Sequence, residues 1–301
     1  MSIRRVPLQD LLDRCEQLAQ QGHRLRPGQP LLAAFDADGT LWGPDVAEML
    51  WDRLITERAL HRRGMAPIAR ALRACGLEPA RDPYSDYPTL MNLFRAGRCT
   101  EEIMVRVMLE GLAGLREEDV YVHALKAVTA SGEISESAAG EASHLMDHLR
   151  RLGFQIVVVS GSPRWAVEVA VQPLGVNTSE VLAGQVAVVD GVLSDGVIEP
   201  LPYGQGKIQA ILRRYGRVPL VAAGNGLGDL AMLEGASHLR FLFNPTSELV
   251  HAADEMRTVA WSLIGQPPAP PLPGMTVHGP KPIPQPHAPR TPRGRPARPQ
   301  N

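Results

Sequence analysis

Three cysteines are too few for a disulfide framework, and Cys15, Cys75 and Cys99 include no C-x-x-C pair. Their odd number and wide spacing argue against a structural zinc site and predict free thiols in a reducing, cytoplasmic setting. No apolar run approaches the ~18 residues that a membrane span requires. The first residues are basic in places but lack a long apolar stretch. Leu8, Leu11, Leu12, Cys15 and Leu18 recur instead at helical spacing, which predicts an amphipathic helix rather than a signal peptide. An excess of basic charge is also missing. Residues 266–301 hold five basic side chains and no acid, so the remainder carries 26 basic against 32 acidic residues. A mildly acidic body argues against nucleic acid as the main ligand. What is present is ample apolar material: 44% of the 301 residues, enough for a core and an inserted domain.

The elements follow from periodicity. Residues 7–21 form the leading helix. Leu31 to Asp36 reads as a short buried strand ended by a turn signal. From residue 44 to 130 no alternating strand pattern occurs. Asp45 caps a helix with Val46, Met49, Leu50 and Leu54 on one face, helices follow near 66–75 and 86–96, Thr100 caps the next, and another runs over 117–129. After a helix ended by Gly153, residues 155–160 are a buried parallel strand. Residues 181–189 and those from Val192 flank Asp190-Gly191, a hairpin signal. Lys207 opens a helix with Ile208, Ile211, Leu212 and Tyr215 turned inward. A strand over 218–223, a helix over 227–234 and a strand over 239–243 complete the body. Strands alternating with helices predict an α/β fold with a doubly wound parallel sheet. The expected division is a packed leading helix over 1–30, a core over 31–43 and 131–265, an all-helical insertion over 44–130, and a tail over 266–301. Thirteen of the tail's 36 residues are proline, which predicts disorder with polyproline character. Its PxxP segments suit a partner domain, whose identity the sequence leaves open, or a simple solubilising tail.

The stretch LLAAFDADGTLW at 31–42 organises the rest. Asp36 ends a strand, where open α/β sheets bind ligands, and Asp38 follows one small residue later. Two carboxylates this close repel each other unless a cation or a proton is shared. Ser160-Gly161-Ser162, Lys207, and Asn225 with Asp229 in GNGLGD fall near other predicted strand ends and helix starts. Each alone has an ordinary reading as a cap, a solvated lysine or a turn. Together they match phosphoryl transfer. A carboxylate attacks phosphorus, Mg²⁺ and Lys207 neutralise charge, Ser160 and the Gly161 backbone hold non-bridging oxygens, and Asp38 moves the proton.

These residues, DADGT at 36–40, VVVSGS at 157–162, Lys207 and GNGLGDLAML at 224–233, resemble those of haloacid-dehalogenase-superfamily phosphatases, closest to the phosphoserine-phosphatase-like branch. The resemblance covers about 31–265. It implies Asp36 as nucleophile, Asp38 as acid/base, Ser160, Gly161 and Lys207 at the phosphate, and Asp36, Asp38, Asn225 and Asp229 around Mg²⁺. The helical insertion then corresponds to the family's cap, and the substrate is a small phosphorylated metabolite. Asp45 falls where serine phosphatases carry an acid that reads the substrate amine. Trp42 is a candidate to line the pocket. Arg106 lies near the place of the arginine that reads the phosphoserine carboxylate, although a gapless reading puts Met108 there. Asn225 stands where the family usually has an acid. Phosphoserine heads the expected substrates; phosphorylcholine or another small alcohol phosphate is the alternative. A phosphate- or metal-binding module with weakened catalysis is the alternative of another class.

Overall fold

The computed structural model describes residues 4–25, 28–130, 132–137, 140–255 and 262–264; the proline-rich tail lies outside these residues. Arg4–Arg5 (β1) and Leu8–Leu25 (α1) precede the first long strand, Leu31–Phe35 (β2). Helices then run in succession: Val46–Thr56 (α2), Met65–Ala74 (α3), Pro83–Arg95 (α4), Glu101–Glu110 (α5), Glu117–Ala130 (α6), Glu133–Glu136 (α7) and Glu141–Arg151 (α8). The sheet resumes with Phe154–Pro163 (β3), the helix Arg164–Ala170 (α9) and Val181–Gly184 (β4). Val186–Val189 (β5) and Val192–Val197 (β6) form a separate antiparallel hairpin. Gln205–Tyr215 (α10), Val221–Gly224 (β7), Leu230–Gly235 (α11), Leu239–Phe243 (β8), Ser247–Glu255 (α12) and Ser262–Ile264 (β9) follow.

Seven strands form one parallel sheet in the order β1-β9-β8-β7-β2-β3-β4. The central five, β4-β3-β2-β7-β8, are the expected α/β core, with the helical region inserted between the first two of them along the chain. All five residues of β2 are buried because both faces of the sheet are covered. Leu31, Ala33 and Phe35 pack on the face that α1, α8, α9 and the insertion share, and Leu32 and Ala34 pack on the face covered by α10, α11 and α12. This period of two, apolar on both sides, makes the sheet doubly wound.

Inside the insertion, Trp51 stacks on Tyr87 with ring centroids 4.5 Å apart, and its Nε1 donates to the Met108 carbonyl at 3.0 Å. A Cβ on Gly64 would lie 2.0 Å from the Gly111 carbonyl oxygen, so only glycine admits this close approach. Asp45 caps α2 by accepting from Glu48 N at 2.9 Å, and Thr100 Oγ1 caps α5 by accepting from Ile103 N at 3.4 Å.

Several local expectations change. The strand expected over 181–189 is two strands: β4 joins the main sheet, and the chain leaves it at Gln185 to begin the hairpin. Gly184 marks the break, since a Cβ there would meet the Gly161 carbonyl oxygen at 2.5 Å. Leu212 points outward, 42% exposed, because the buried stripe of α10 runs through Lys207, Ala210 and Ile211. The thiols of Cys75 and Cys99 are joined rather than free, with their Cα atoms 5.5 Å apart, and Cys15 alone is unpaired and buried. The pair brings the end of α3 to the start of α5, and a separation of 24 residues carries no sequence signature. No helix among the described residues is long and apolar enough to cross a membrane.

Candidate active site

The carboxyl ends of β2, β3 and β7 and the first turn of α10 open on one cavity of about 440 Å³. Asp36 is the first residue after β2. Its amide donates to the Ala223 carbonyl at 2.9 Å, which fixes it beside the end of β7. Its Oδ2 accepts from Thr40 Oγ1 at 2.8 Å. Its Oδ1 accepts from Lys207 Nζ at 2.5 Å, and the same ammonium donates to Asp229 Oδ1 at 2.5 Å. Asp229 Oδ2 accepts from the backbone of Asn225 and Gly226 at 2.9 and 3.0 Å. Asp36, Lys207 and Asp229 are all buried. Gly39 supplies a left-handed turn, φ 76°, and a Cβ there would lie 1.9 Å from Asn225 Nδ2, so the turn and the Asn225 side chain fit only around a glycine.

Asp38 is held differently. Its Oδ1 accepts from Trp42 Nε1 at 2.7 Å and Val46 N at 3.0 Å, and its Oδ2 accepts from Ser162 Oγ at 2.6 Å. Three donors thus fix the carboxylate, one from α2 and one from the end of β3. Ser160 Oγ accepts from Ser162 N at 3.0 Å, which leaves its O–H to donate. A Cβ on Gly161 would come within 3.2 Å of Val105 on α5, so the insertion lies close over this turn.

The electrostatics are unbalanced. Asp36, Asp38 and Asp229 face Lys207, the one buried cation beside them among the described residues. Burial, then the Asp229 charge, push the Asp36 carboxyl up to about 7 despite Lys207. Burial raises Asp38 as well, opposed by its hydrogen bonds from Ser162, Val46 and Trp42. Burial works against the Lys207 ammonium, but Asp229 and Asp36 outweigh it and hold its pKa above the ordinary lysine value. Among the described residues no three His, Cys, Asp or Glu side chains form a metal cage. The oxygen donors on offer are the Asp36 and Asp229 carboxylates, the Asp38 backbone carbonyl and the Asn225 amide. Mg²⁺ suits such a set, since it takes hard oxygens and keeps several waters. A divalent cation also matches the two uncompensated negative charges, so the residues present fit the ion.

The other sequence candidates divide. Asp45 lines the cavity. Trp42 does not; it is buried, and its indole is committed to Asp38. Arg106 is turned to Glu199, 2.9 Å away, and Met108 lines the cavity instead. Helical phase explains this. Glu101, Met104, Val105 and Met108 share the cavity-facing stripe of α5, and Arg106 lies about 140° round from Glu101 at 3.6 residues per turn. Sequence reasoning missed three contacts. Thr40 sits in the DADGT motif, and Ser162 in VVVSGS, but neither was assigned a role. Glu101, in the first turn of α5, lines the cavity beside Tyr203, whose hydroxyl donates to it at 3.3 Å.

The model of the haloacid dehalogenase-like hydrolases matches residues 33–234. The chain is 38% identical over 112 residues to the phosphoserine phosphatase SerB2 of Mycobacterium tuberculosis, covering 35% of this chain and 26% of that protein. It is 26% identical over 239 residues to a phosphoserine phosphatase of Streptomyces coelicolor, covering 75% of this chain and 53% of the other. The chain therefore spans about a quarter and about half of the length of these two relatives. Among solved structures, a Bordetella pertussis protein of unknown function aligns with a TM-score of 0.58 at 17% identity, over 79% of this chain and 99% of its own. That likeness bears on the fold alone. A match over two-thirds of the chain makes this protein a member of the haloacid dehalogenase-like hydrolase family.

Proposed function

We propose that the chain is a Mg²⁺-dependent phosphatase that hydrolyses a small phosphorylated metabolite through a phosphoryl-Asp36 intermediate. The observation that carries this reading is the meeting of Asp36 and Asp229 on one ammonium, Lys207, which lies 171 residues from the first and 22 from the second. Asp36 presents a carboxylate oxygen as nucleophile, its orientation fixed by Thr40 on Oδ2 and Lys207 on Oδ1. Lys207, the Ser160 hydroxyl and the Gly161 N–H hold the non-bridging oxygens. Asp38, kept in place by Trp42, Val46 and Ser162, gives its proton to the leaving alcohol. As a carboxylate it then takes a proton from water, which attacks phosphorus and frees Asp36. Mg²⁺, held by Asp36, the Asp38 carbonyl, Asn225 and Asp229, would neutralise phosphoryl charge.

Rates on a panel of phosphate esters, with and without Mg²⁺, test the reading. Mg²⁺-dependent turnover of an aryl phosphate supports it; Mg²⁺ binding without turnover would favour the weakened binding module instead. Asn225→Asp adds a charge to the donor set and is expected to tighten Mg²⁺ by about tenfold, roughly one charge-assisted contact. An unchanged calorimetric titration would count against Asn225 as a ligand. Ser162→Ala removes a donor that favours ionised Asp38, so Asp38 keeps its proton to higher pH. The alkaline limb of the pH–rate profile should move up, with kcat lower by about tenfold. A limb that stays in place argues against Asp38 as the acid.

A further inference from the structure

Among the described residues, seven carboxylate side chains line the cavity, and Lys207 is the one cationic residue with them. Asp36, Asp38 and Asp229 belong to the phosphate end. The remaining acids of the lining are Asp45, Glu48, Glu101 and Glu248. Glu48 is answered by Arg95 at 2.8 Å. Asp45 and Glu101 have no ion-pair partner among the described residues. Asp45 accepts from backbone N–H groups of α2, and Glu101 accepts from Tyr203.

Among the described residues that line the cavity, no cationic side chain besides Lys207 is there to receive a substrate carboxylate. Arg106 is spent on Glu199. Of the helix N-termini at the cavity, those of α2, α5 and α12 are already met by the Asp45, Thr100 and Thr246 side chains, and that of α10 carries Lys207 at the phosphate end. Phe94, Met104 and Met108 complete the wall, an apolar surface that accommodates methylene or N-methyl groups and, through the ring face, a cation. With the phosphate already bringing negative charge, further acids around the leaving group repel an anion and favour an ammonium.

We propose that the substrates are phosphate monoesters of short amino alcohols without a carboxylate, and that Glu101 joins Asp45 in reading the ammonium. The proposal rests on the phosphatase reading above. It departs from phosphoserine, whose carboxylate would stand among like charges. Glu101 lies on the insertion and Lys207 on the core, so one substrate engages both.

The test is steady-state kinetics of the full chain with Mg²⁺ on five esters: phosphoethanolamine, phosphocholine, phosphoserine, glycerol phosphate and an aryl phosphate. The expected kcat/KM for at least one of the first two exceeds those for phosphoserine and glycerol phosphate by about tenfold or more, the worth of one ion pair in a shielded site. In Glu101→Gln the ratio between the preferred cationic ester and glycerol phosphate should fall by about tenfold, whatever the absolute rate, and Glu101→Asp should recover part of it. Comparison of the two amino-alcohol esters shows whether the wall prefers a primary or a methylated ammonium. Aryl phosphate turnover with phosphoserine equal or better, or a ratio unmoved in Glu101→Gln, overturns this proposal alone. No turnover of any ester overturns the phosphatase reading and this proposal with it.

Discussion

Asp36→Asn should lower turnover of every phosphate ester by at least about 10⁴-fold, the scale on which loss of a covalent nucleophile falls, while the protein stays folded. Both halves of this expectation come from the same geometry. An amide of the same shape fills the same space, accepting from Lys207 through its oxygen and donating to the Thr40 hydroxyl through its NH2, but it cannot attack phosphorus. The stability effect has a definite sign. In the metal-free protein the Asp36 carboxyl lies near 7, against an ordinary value of 3.8. The folded state therefore holds this proton more tightly than the unfolded chain. Its contribution is most favourable below the ordinary value and is lost as pH rises through about 7. Removing the charge removes that cost. Metal-free Asp36→Asn should melt at or above the wild-type temperature at pH 8, with the difference vanishing near the ordinary carboxylate range. A variant that melts well below wild type at pH 8 would mean that the carboxylate stabilises the fold, contrary to the charge imbalance described here.

Lys207→Met should act in the opposite direction. The ammonium is buried between Asp36 and Asp229 at 2.5 Å from each. Its loss leaves two facing carboxylates with no counter-charge. Breaking a buried pair by removing one partner costs about 3–5 kcal/mol. For a domain of this size that is about 6–20 °C in melting temperature, at roughly 2–4 °C per kcal/mol. Mg²⁺ should restore part of the loss in Lys207→Met, because it offers the two acids another cation. Activity should fall by about 10²–10³-fold, the scale for removing one preorganised charge stabiliser. A melting temperature within a degree or two of wild type would show that the acids protonate at little cost, and the charge argument for a divalent cation would fail with it.

Much of this site was legible in the chain because strand ends announce themselves. Leu31 to Phe35 alternates between two apolar faces and stops at an aspartate, so Asp36 must emerge at the edge of a parallel sheet. The same logic brought Ser160 and Asn225 to that edge. What sequence could not convey was the direction of side chains on the insertion. Arg106 and Met108 differ by two positions, and only the phase of α5 against the core sends one to Glu199 and the other into the cavity. Trp42 was visible as an aromatic at the start of the insertion, but nothing local reveals that its indole N–H meets Asp38. The Cys75–Cys99 pair depends on where two helix ends meet, again a matter of packing. Strands β1 and β9 have two and three residues and thus no period to read. The break after Gly184 was hidden because nine consecutive positions, 181–189, are mostly apolar on either side of it.

The central claim is that Asp36 becomes phosphorylated. It is tested most directly by quenching the protein with acid during turnover of an aryl phosphate, reducing the acyl phosphate with borohydride, and sequencing the peptide that holds residue 36 by mass spectrometry. The account predicts homoserine at position 36, formed only when ester and Mg²⁺ are both present. Steady turnover with aspartate intact at 36, or with the phosphoryl group on Ser160 or another residue, would contradict it.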